Sequence, residues 1–355
     1  DLFVSTGTGS GKTECFMWPL MAKLADEARN RTDSWELRGV RTVIMYPMNA
    51  LVSDQVSRLR RLIGDPDHRF VKIFRETCGN GARRPQFGMY TGRTPYAGPE
   101  PRKDADHRLE NTSSNMVPPE TAEGEDFLRQ LTKEGKIPSK ENFDAFLEKL
   151  HNSKHIPDAE DAELVTRFEM QQFCPDILIT NYSMLEYMLL RPREKKIWDD
   201  TKRWLESDPK NKLLFVIDEA HMYRGSAGGE VSLLIRRLFH RLGIDRSRVQ
   251  FILTTASMPN NDEEDRKEVR DFANALTASD DNHSFCYLTG EKEKLGAERC
   301  NDLPLSHFVG MEAEPFEGDA PQRLDALNHF WSGIPGAPVP FVDVDCAYHW
   351  LYNHL

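Results

Sequence analysis

Three glycines alternate with hydroxyl side chains in Thr6-Gly7-Thr8-Gly9-Ser10-Gly11, and Lys12 and Thr13 follow at once. Glycine lets a backbone wrap closely around an anion and visit positive φ. The N–H groups of such a turn, and of a helix that starts from it, point at the anion. Lys12 would then reach the β- and γ-phosphates of a nucleoside triphosphate, and Thr13 would ligate Mg²⁺. The turn is a variant of the phosphate-binding loop, because Thr6 stands where a glycine is usual. An acidic tetrad lies far along the chain: Asp218-Glu219-Ala220-His221 closes the apolar run Leu213 to Ile217. Asp218 would hold the metal, directly or through water. Glu219 would orient or deprotonate the attacking water, because a carboxylate neutralised by an ion cannot also accept a proton. By itself the tetrad also fits acidic residues at a helix N-terminus. Beside a glycine turn of this kind, phosphate chemistry is the stronger reading.

These groups need a scaffold that carries both to one place. Leu2 to Val4, Thr42 to Tyr46, Asp176 to Thr180, Leu213 to Ile217 and Phe251 to Thr255 are short apolar runs, most without polar alternation. Strands covered by helices on both faces look like this. Between them, Lys12 to Ala28, Asn49 to Ile63 and Glu230 to Leu242 place apolar residues at helical spacing, with a kink expected at Pro19. The pattern predicts an α/β fold, a mostly parallel sheet with helices on both faces. Carboxylates that follow a strand lie where such sheets bind ligands. Two stretches break the alternation. Pro95 to Arg167 is rich in Pro, Asp, Glu, Lys and Ser and reads as a surface insertion, partly disordered, with one amphipathic helix over Glu141 to Leu150. Beyond about Asp280, prolines punctuate the chain, and Cys346 to Leu355 is a possible short helix. The expected organisation is a lobe over 1–280, with insertion 95–167, and an irregular extension or linker over 281–355.

The formal net charge of the 355 residues is −11, so no global basic field recruits nucleic acid, and any such contact must be a local groove. The six cysteines are scattered without CxxC spacing, which fits reduced thiols. His151 and His155 stand at i, i+4 with no third ligand in view. No run approaches a membrane span and no leader is visible, so an intracellular, cytoplasmic protein is expected. A chain that opens inside a strand also reads as truncated.

With both nucleotide motifs in place, the sequence resembles superfamily 2 helicases of the DEAD/DEAH type. Further segments match in order: Tyr46 to Gln55 resembles motif Ia, Tyr90 to Thr94 the Thr-Gly motif, Asp176 to Pro192 motif Ib, and Thr254 to Ser257 motif III. The phrases TNYSMLEYMLLRP and DEAHMYRGSAGGEVSLLIRRL are similar to a bacterial branch of large helicases that act in DNA repair and in phage defence, DISARM and Druantia among them. The resemblance implies the first RecA-like lobe of a helicase or translocase that uses ATP and Mg²⁺. It implies nucleotide contacts from Thr8, Gly9, Ser10, Gly11, Lys12, Thr13 and Glu14. The metal would sit on Thr13 and Asp218, with catalysis by Lys12, Asp218, Glu219 and His221. The phosphates of a nucleic acid, single-stranded DNA first, would meet Asn49, Gln55, Thr91, Gly92, Arg93, Thr180 and Asn181. Thr255 and Ser257 would couple the γ-phosphate to that grip.

Plainer roles stand beside these. Thr180-Asn181 also fits a helix N-cap, Thr91-Gly92 a turn, and Thr255 and Ser257 polar residues closing a strand. The sequence departs from the family in three ways. No upstream glutamine is present to read adenine, no second lobe with its arginines follows, and unwinding needs two lobes. The resemblance therefore implies an isolated lobe that binds Mg-ATP, turns it over slowly, and needs its second lobe and any defence-system or repair partners for full activity. A phosphate-loop ATPase with non-nucleic-acid cargo and a nucleotide-sensing scaffold are the competing classes. Motifs Ia and Ib argue against the first, and intact Lys12, Thr13, Asp218 and Glu219 against the second.

Overall fold

The computed structural model describes residues 1–7, 11–47, 49–65, 67–79, 81–96, 122–143, 145–146, 157–256, 263–280, 283–289, 314–332 and 339–354. The chain forms two compact units, Asp1–Gly290 and Glu291–Leu355. In the first, the order of elements is β1 (Leu2–Ser5), α1 (Lys12–Asn30), α2 (Thr32–Glu36), β2 (Thr42–Tyr46), α3 (Asn49–Leu62), α4 (Arg69–Cys78), β3 (Phe87–Tyr90), α5 (Ala122–Lys133), β4 (Glu163–Leu164), α6 (Arg167–Gln172), β5 (Ile177–Asn181), α7 (Tyr182–Leu190), α8 (Lys195–Ser207), β6 (Leu213–Ile217), α9 (Ser226–Leu242), β7 (Val249–Thr255), α10 (Glu263–Leu276) and β8 (Cys286–Thr289). The eight strands form one sheet in the order β4-β3-β5-β2-β6-β7-β1-β8, and every pairing is parallel. The α/β fold predicted from the sequence is the observed one.

Successive strand residues divide between two buried cores. Val43, Met45, Leu178, Phe215, Ile217, Phe251 and Leu253 pack on one face, with Leu185, Trp198, Trp204, Ile235 and Leu238. Ile44, Tyr46, Ile177, Ile179, Leu214, Val216 and Ile252 pack on the other, with Phe16, Leu20, Leu24, Val56 and Leu59. Burial on both faces is why the central strands read as unbroken apolar runs. Helix α1 runs through Pro19. β8 lies past residue 280 yet pairs with β1, so the sheet takes in part of the irregular tail.

The N-terminal ends of β2 and β5 are locked by a buried ion cluster. The Arg41 guanidinium donates to Glu27 Oε1 at 2.8 Å and to Asp176 Oδ1 at 2.9 Å. It also lies 4.8 Å from the Trp35 ring centre and 5.0 Å from that of Trp204. Arg83 adds a second guanidinium to Asp176 at 2.7 Å. Burial alone would raise the Asp176 carboxyl, but Arg83 and Arg41 outweigh it and hold it down from 3.8 to about 2.

The described residues of the insertion pack against the sheet unit. Ile137, Phe146, Ala162 and Leu164 are buried, and Glu163–Leu164 adds a strand beside β3. The ammonium of Lys140, fully buried, pairs with Asp161 at 3.1 Å and Glu169 at 2.5 Å, while Arg60 holds Glu163 at 2.7 Å. A charged segment can be core when its charges are paired. Of the helix expected over Glu141 to Leu150, Phe143, Ala145 and Phe146 are helical, while 144 and 147–150, like His151 and His155, lie outside the described residues. The second unit contains α11 (Glu314–Glu317), α12 (Ala320–Trp331) and α13 (Val344–His354). Leu327, Trp331, Phe341 and Ala347 form its buried cluster. Among the described residues, no helix is long and apolar enough to cross a membrane.

Arg41→Met should destabilise the sheet unit by about 3–5 kcal/mol, because it leaves the Glu27 carboxylate buried without its cation and takes from Asp176 one of its two guanidinium partners; urea unfolding reads this. In the wild type, the lowered Asp176 carboxyl contributes stability that is complete above its ordinary value of 3.8 and lost as pH falls through about 2. Acid titration of the fold should show that window, and the variant should unfold at higher pH.

Candidate nucleotide site

Parallel pairing brings every strand's C-terminal end to one edge. Ser5 of β1 pairs with Thr255 of β7, Ile217 of β6 with Leu253 of β7 and with Met45 of β2, and Tyr46 with Asn181 of β5. The residues that follow each strand are therefore neighbours across the edge, although the chain separates them widely. Residues 8–10 lie outside the described set, so nothing is stated of Thr8, Gly9 or Ser10. Gly11 caps α1 in the left-handed region at φ 81°. A Cβ there would lie 3.6 Å from Glu14 Oε2, so backbone conformation, not space, requires glycine.

The edge gathers the two sequence motifs. Lys12 Nζ is 3.2 Å from Glu219 Oε1, and both side chains are largely shielded from solvent. Asp218 is buried, and its Oδ1 accepts hydrogen bonds from the Thr254 hydroxyl and, at 3.1 Å, from the Glu219 N–H. Burial pushes the Asp218 carboxyl above the ordinary carboxylate range, although Thr254 and Lys12 act the other way. Glu219 holds φ 50° and ψ 46°, a left-handed conformation that is uncommon for a side chain of its size. Such strain clusters where a side chain must be aimed. From this residue a 3₁₀ turn, Ala220–Tyr223, begins. His221 Nδ1 stands 3.1 Å from Thr255 Oγ1 and 3.2 Å from Glu219 Oε2, so the imidazole bridges the tetrad and β7.

The donor set fits a hydrated divalent cation. Thr13 Oγ1 and the Asp218 carboxylate are hard oxygen ligands of the type Mg²⁺ takes, and Mg²⁺ keeps several waters that need partners. Four buried polar atoms at this edge have no hydrogen-bond partner among the described residues: Tyr46 Oη, Gln55 Oε1, Tyr223 Oη and Glu219 Oε2, the last with only its ion-pair contact to His221. Burial, and then the Asp218 charge, raise both tyrosines above their ordinary value. Unpaired buried polar groups are unfavourable unless something else completes them.

The residues expected to grip nucleic acid divide. Asn49 opens α3, but its side chain is outside the described residues. Gln55 faces the other way: its Nε2 donates to Thr13 Oγ1 at 3.3 Å. Thr180 Oγ1 donates to the Tyr90 carbonyl at 2.7 Å. Thr91 is buried, and its Oγ1 accepts from the Arg93 N–H at 3.2 Å. Asn181 caps α7 through the Met184 N–H at 2.8 Å. Gly92 and Arg93 are exposed. The structure thus places β3 and β5 side by side and turns both threonine hydroxyls inward. Arg167, read in the sequence only as the end of the insertion, donates to the Thr91 carbonyl at 2.8 Å and lies 5.4 Å from the Tyr90 ring centre, bracing the same loop. Thr254 was also missed, though the repeated threonine of TTAS was the available sign: consecutive strand residues face opposite ways, so one serves Asp218 and the next His221. Ser257 lies outside the described residues.

Comparison with known proteins follows from this geometry. The family model described as DEAD/DEAH box helicase matches residues 1–93 and 131–265. The chain is 43% identical over 324 residues to the Druantia protein DruE of Escherichia coli (strain UMEA 4076-1), covering 82% of this chain and 17% of that one. It is 29% identical over 100 residues to the uncharacterized ATP-dependent helicase MJ1574 of Methanocaldococcus jannaschii, covering 28% of this chain and 13% of that one. The chain therefore spans less than a fifth of the length of either relative. Among solved structures, it is similar to the DUF1998 helicase MrfA bound to DNA and AMPPNP, at 15% identity and a TM-score of 0.40, covering 94% of this chain and 33% of that one.

Gly11→Ala should destabilise the start of α1 by about 1–2 kcal/mol, the penalty of a left-handed non-glycine residue. Hydrogen exchange of the α1 amides should rise in that variant, with the distant Arg41 cluster unchanged.

Proposed function

The chain belongs to the DEAD/DEAH box helicase family, and from that premise we propose that it is the ATP-binding lobe of a helicase or translocase that couples ATP hydrolysis to movement on DNA. The observation that carries the reading is the meeting of Lys12, Asp218, Glu219 and Thr254 at one sheet edge. Similarity to a Druantia protein supports a role in phage defence, with DNA repair as the neighbouring alternative. A DNA partner is supported by the motif Ia, Thr-Gly and Ib segments lying along that edge.

Phosphoryl transfer asks for positioning and charge rather than covalent help from the protein. Lys12 supplies a cation at the head of α1, whose free N–H groups favour an anion. A triphosphate would draw that ammonium from Glu219 and free the carboxylate for water. Glu219, aimed by its left-handed backbone, orients the attacking water and accepts its proton. Thr13 and Asp218 would hold Mg²⁺, which when bound neutralises charge on the phosphate oxygens. His221 and Thr255 carry the state of Glu219 to β7. Hydrolysis at the full rate requires a second RecA-like lobe, whose arginines would complete the site.

ATP turnover of the protein with and without single-stranded DNA tests this. DNA should stimulate it, and indifference to DNA would favour a cargo ATPase. Lys12→Ala should lower turnover by about a hundredfold or more, as loss of a preorganised charge does. Glu219→Gln should keep nucleotide binding and lose about 10²–10⁴ in rate; normal hydrolysis would remove Glu219 from its role. Arg93→Ala should weaken DNA binding and lower the salt slope by about 0.7, one phosphate contact on a single strand.

A further inference from the structure

We infer that Gln55 belongs to the nucleotide site as a positioning residue that fixes the Thr13 hydroxyl and accepts a hydrogen bond from the hydration shell of the bound cation. The inference rests on the reading of Thr13 and Asp218 as the metal ligands.

Gln55 is 5% exposed, so its side chain has no open face toward a strand lying over the lobe. Its amide is committed to the phosphate loop: Nε2 donates to Thr13 Oγ1 at 3.3 Å. A threonine hydroxyl has two acceptor lone pairs and one proton. With one lone pair held by Gln55, the other is left in a set direction for a cation. The second half of the amide completes the argument. Gln55 Oε1 is buried and has no partner among the described residues. A carbonyl oxygen can only accept, and waters on a divalent cation are strong donors. Such outer partners orient first ligands and tune metal affinity.

A second contact ties the same two helices. One turn after Gln55, Arg58 reaches Glu14 in the first turn of α1 at 3.2 Å. Thus α3 is fastened to the start of α1 by Gln55 on Thr13 and Arg58 on Glu14, while the head of α3 follows β2, whose last residue, Tyr46, pairs with Asn181 of β5 at the edge read as the nucleic-acid groove. Gln55 is therefore placed to pass the presence of the metal-bound nucleotide into α3.

The test uses a fluorescently labelled, non-hydrolysable ATP analogue, titrated with magnesium and with chelator, on wild type, Gln55→Met and Gln55→Asn. Methionine keeps the length and loses the amide; asparagine keeps the amide and withdraws it by one carbon, which covers failure of the first variant to fold. Magnesium should strengthen wild-type binding. Both variants should lose about ten- to a hundredfold of that gain, with chelator affinity and nucleotide-free DNA affinity within about twofold of wild type. A variant with the full magnesium gain would overturn the assignment. So would a matching fall in nucleotide-free DNA affinity, which would return Gln55 to the groove. Wild type without a magnesium gain would overturn the nucleotide-site reading itself, and Gln55's role with it.

Discussion

The parallel register of β2 with β5 and β6 is the constraint on which the site depends. Side chains alternate faces along a strand, so a slip of one residue would send Tyr46 and Ile217 to the wrong cores. The adjoining register of β6 with β7, Ile217 beside Leu253, keeps Asp218 on Thr254. The register is fixed at the far edge, where Asp176 accepts from the Arg41 and Thr42 N–H groups through its carbonyl and from the Arg41 guanidinium through its carboxylate. Those ion pairs are fully buried, so their geometry tolerates no second arrangement. The chemistry at one edge is thus set by a salt cluster at the other.

The two edges differ in how completely their polar groups are paired. Around Arg41 the guanidinium meets carboxylates, backbone carbonyls and indole faces. Around Asp218, four polar atoms lack a hydrogen-bond partner among the described residues, a carboxyl is pushed up by burial, and Glu219 holds a strained backbone. Strain of this kind persists only where the surroundings over-determine it. The well-paired edge supplies that rigidity, so the opposite edge can keep side chains aimed at a ligand instead of at one another.

How much could be read in advance follows from the same physics. The five central strands were legible because burial on both faces leaves mainly apolar runs without regular polar alternation. β3 and β4 were not. Phe87–Tyr90 contains a glycine, and Glu163–Leu164 is two residues long and carries a charge that Arg60 and the Ser139 N–H hold through space. The Lys140 cluster was hidden for the same reason: charge paired through space looks like surface charge in sequence. At the site, Lys12, Thr13, Asp218 and Glu219 were legible because each stands in a local pattern around a turn. The direction of Gln55 was not, since a helix residue can face the groove or the phosphate loop, and only the packing of α3 against α1 decides. Thr91 and Thr180 were ambiguous for a related reason, as the same hydroxyl serves a phosphate or a neighbouring carbonyl.

The inward hydroxyls bear on how an acidic chain could hold an acidic polymer. With a net charge of −11, long-range attraction is absent. If Thr91 and Thr180 keep their partners, the donors left to that edge among the described residues include the exposed Arg93 guanidinium and backbone N–H groups at loop and helix starts. Backbone donors fix the register of a phosphate chain and carry no base information. Contacts made by backbone donors would release few counterions, and so would give any nucleic-acid grip a shallow salt dependence. Such a grip would be independent of sequence. It also depends on the placement of the β3 and β5 loops, which Arg167, Thr94 and Thr180 fix through hydrogen bonds to backbone groups. A small shift of β5 relative to β2 would then change several phosphate contacts together, and α3, tied to the phosphate loop at one point and to that edge at another, is the element placed to impose it.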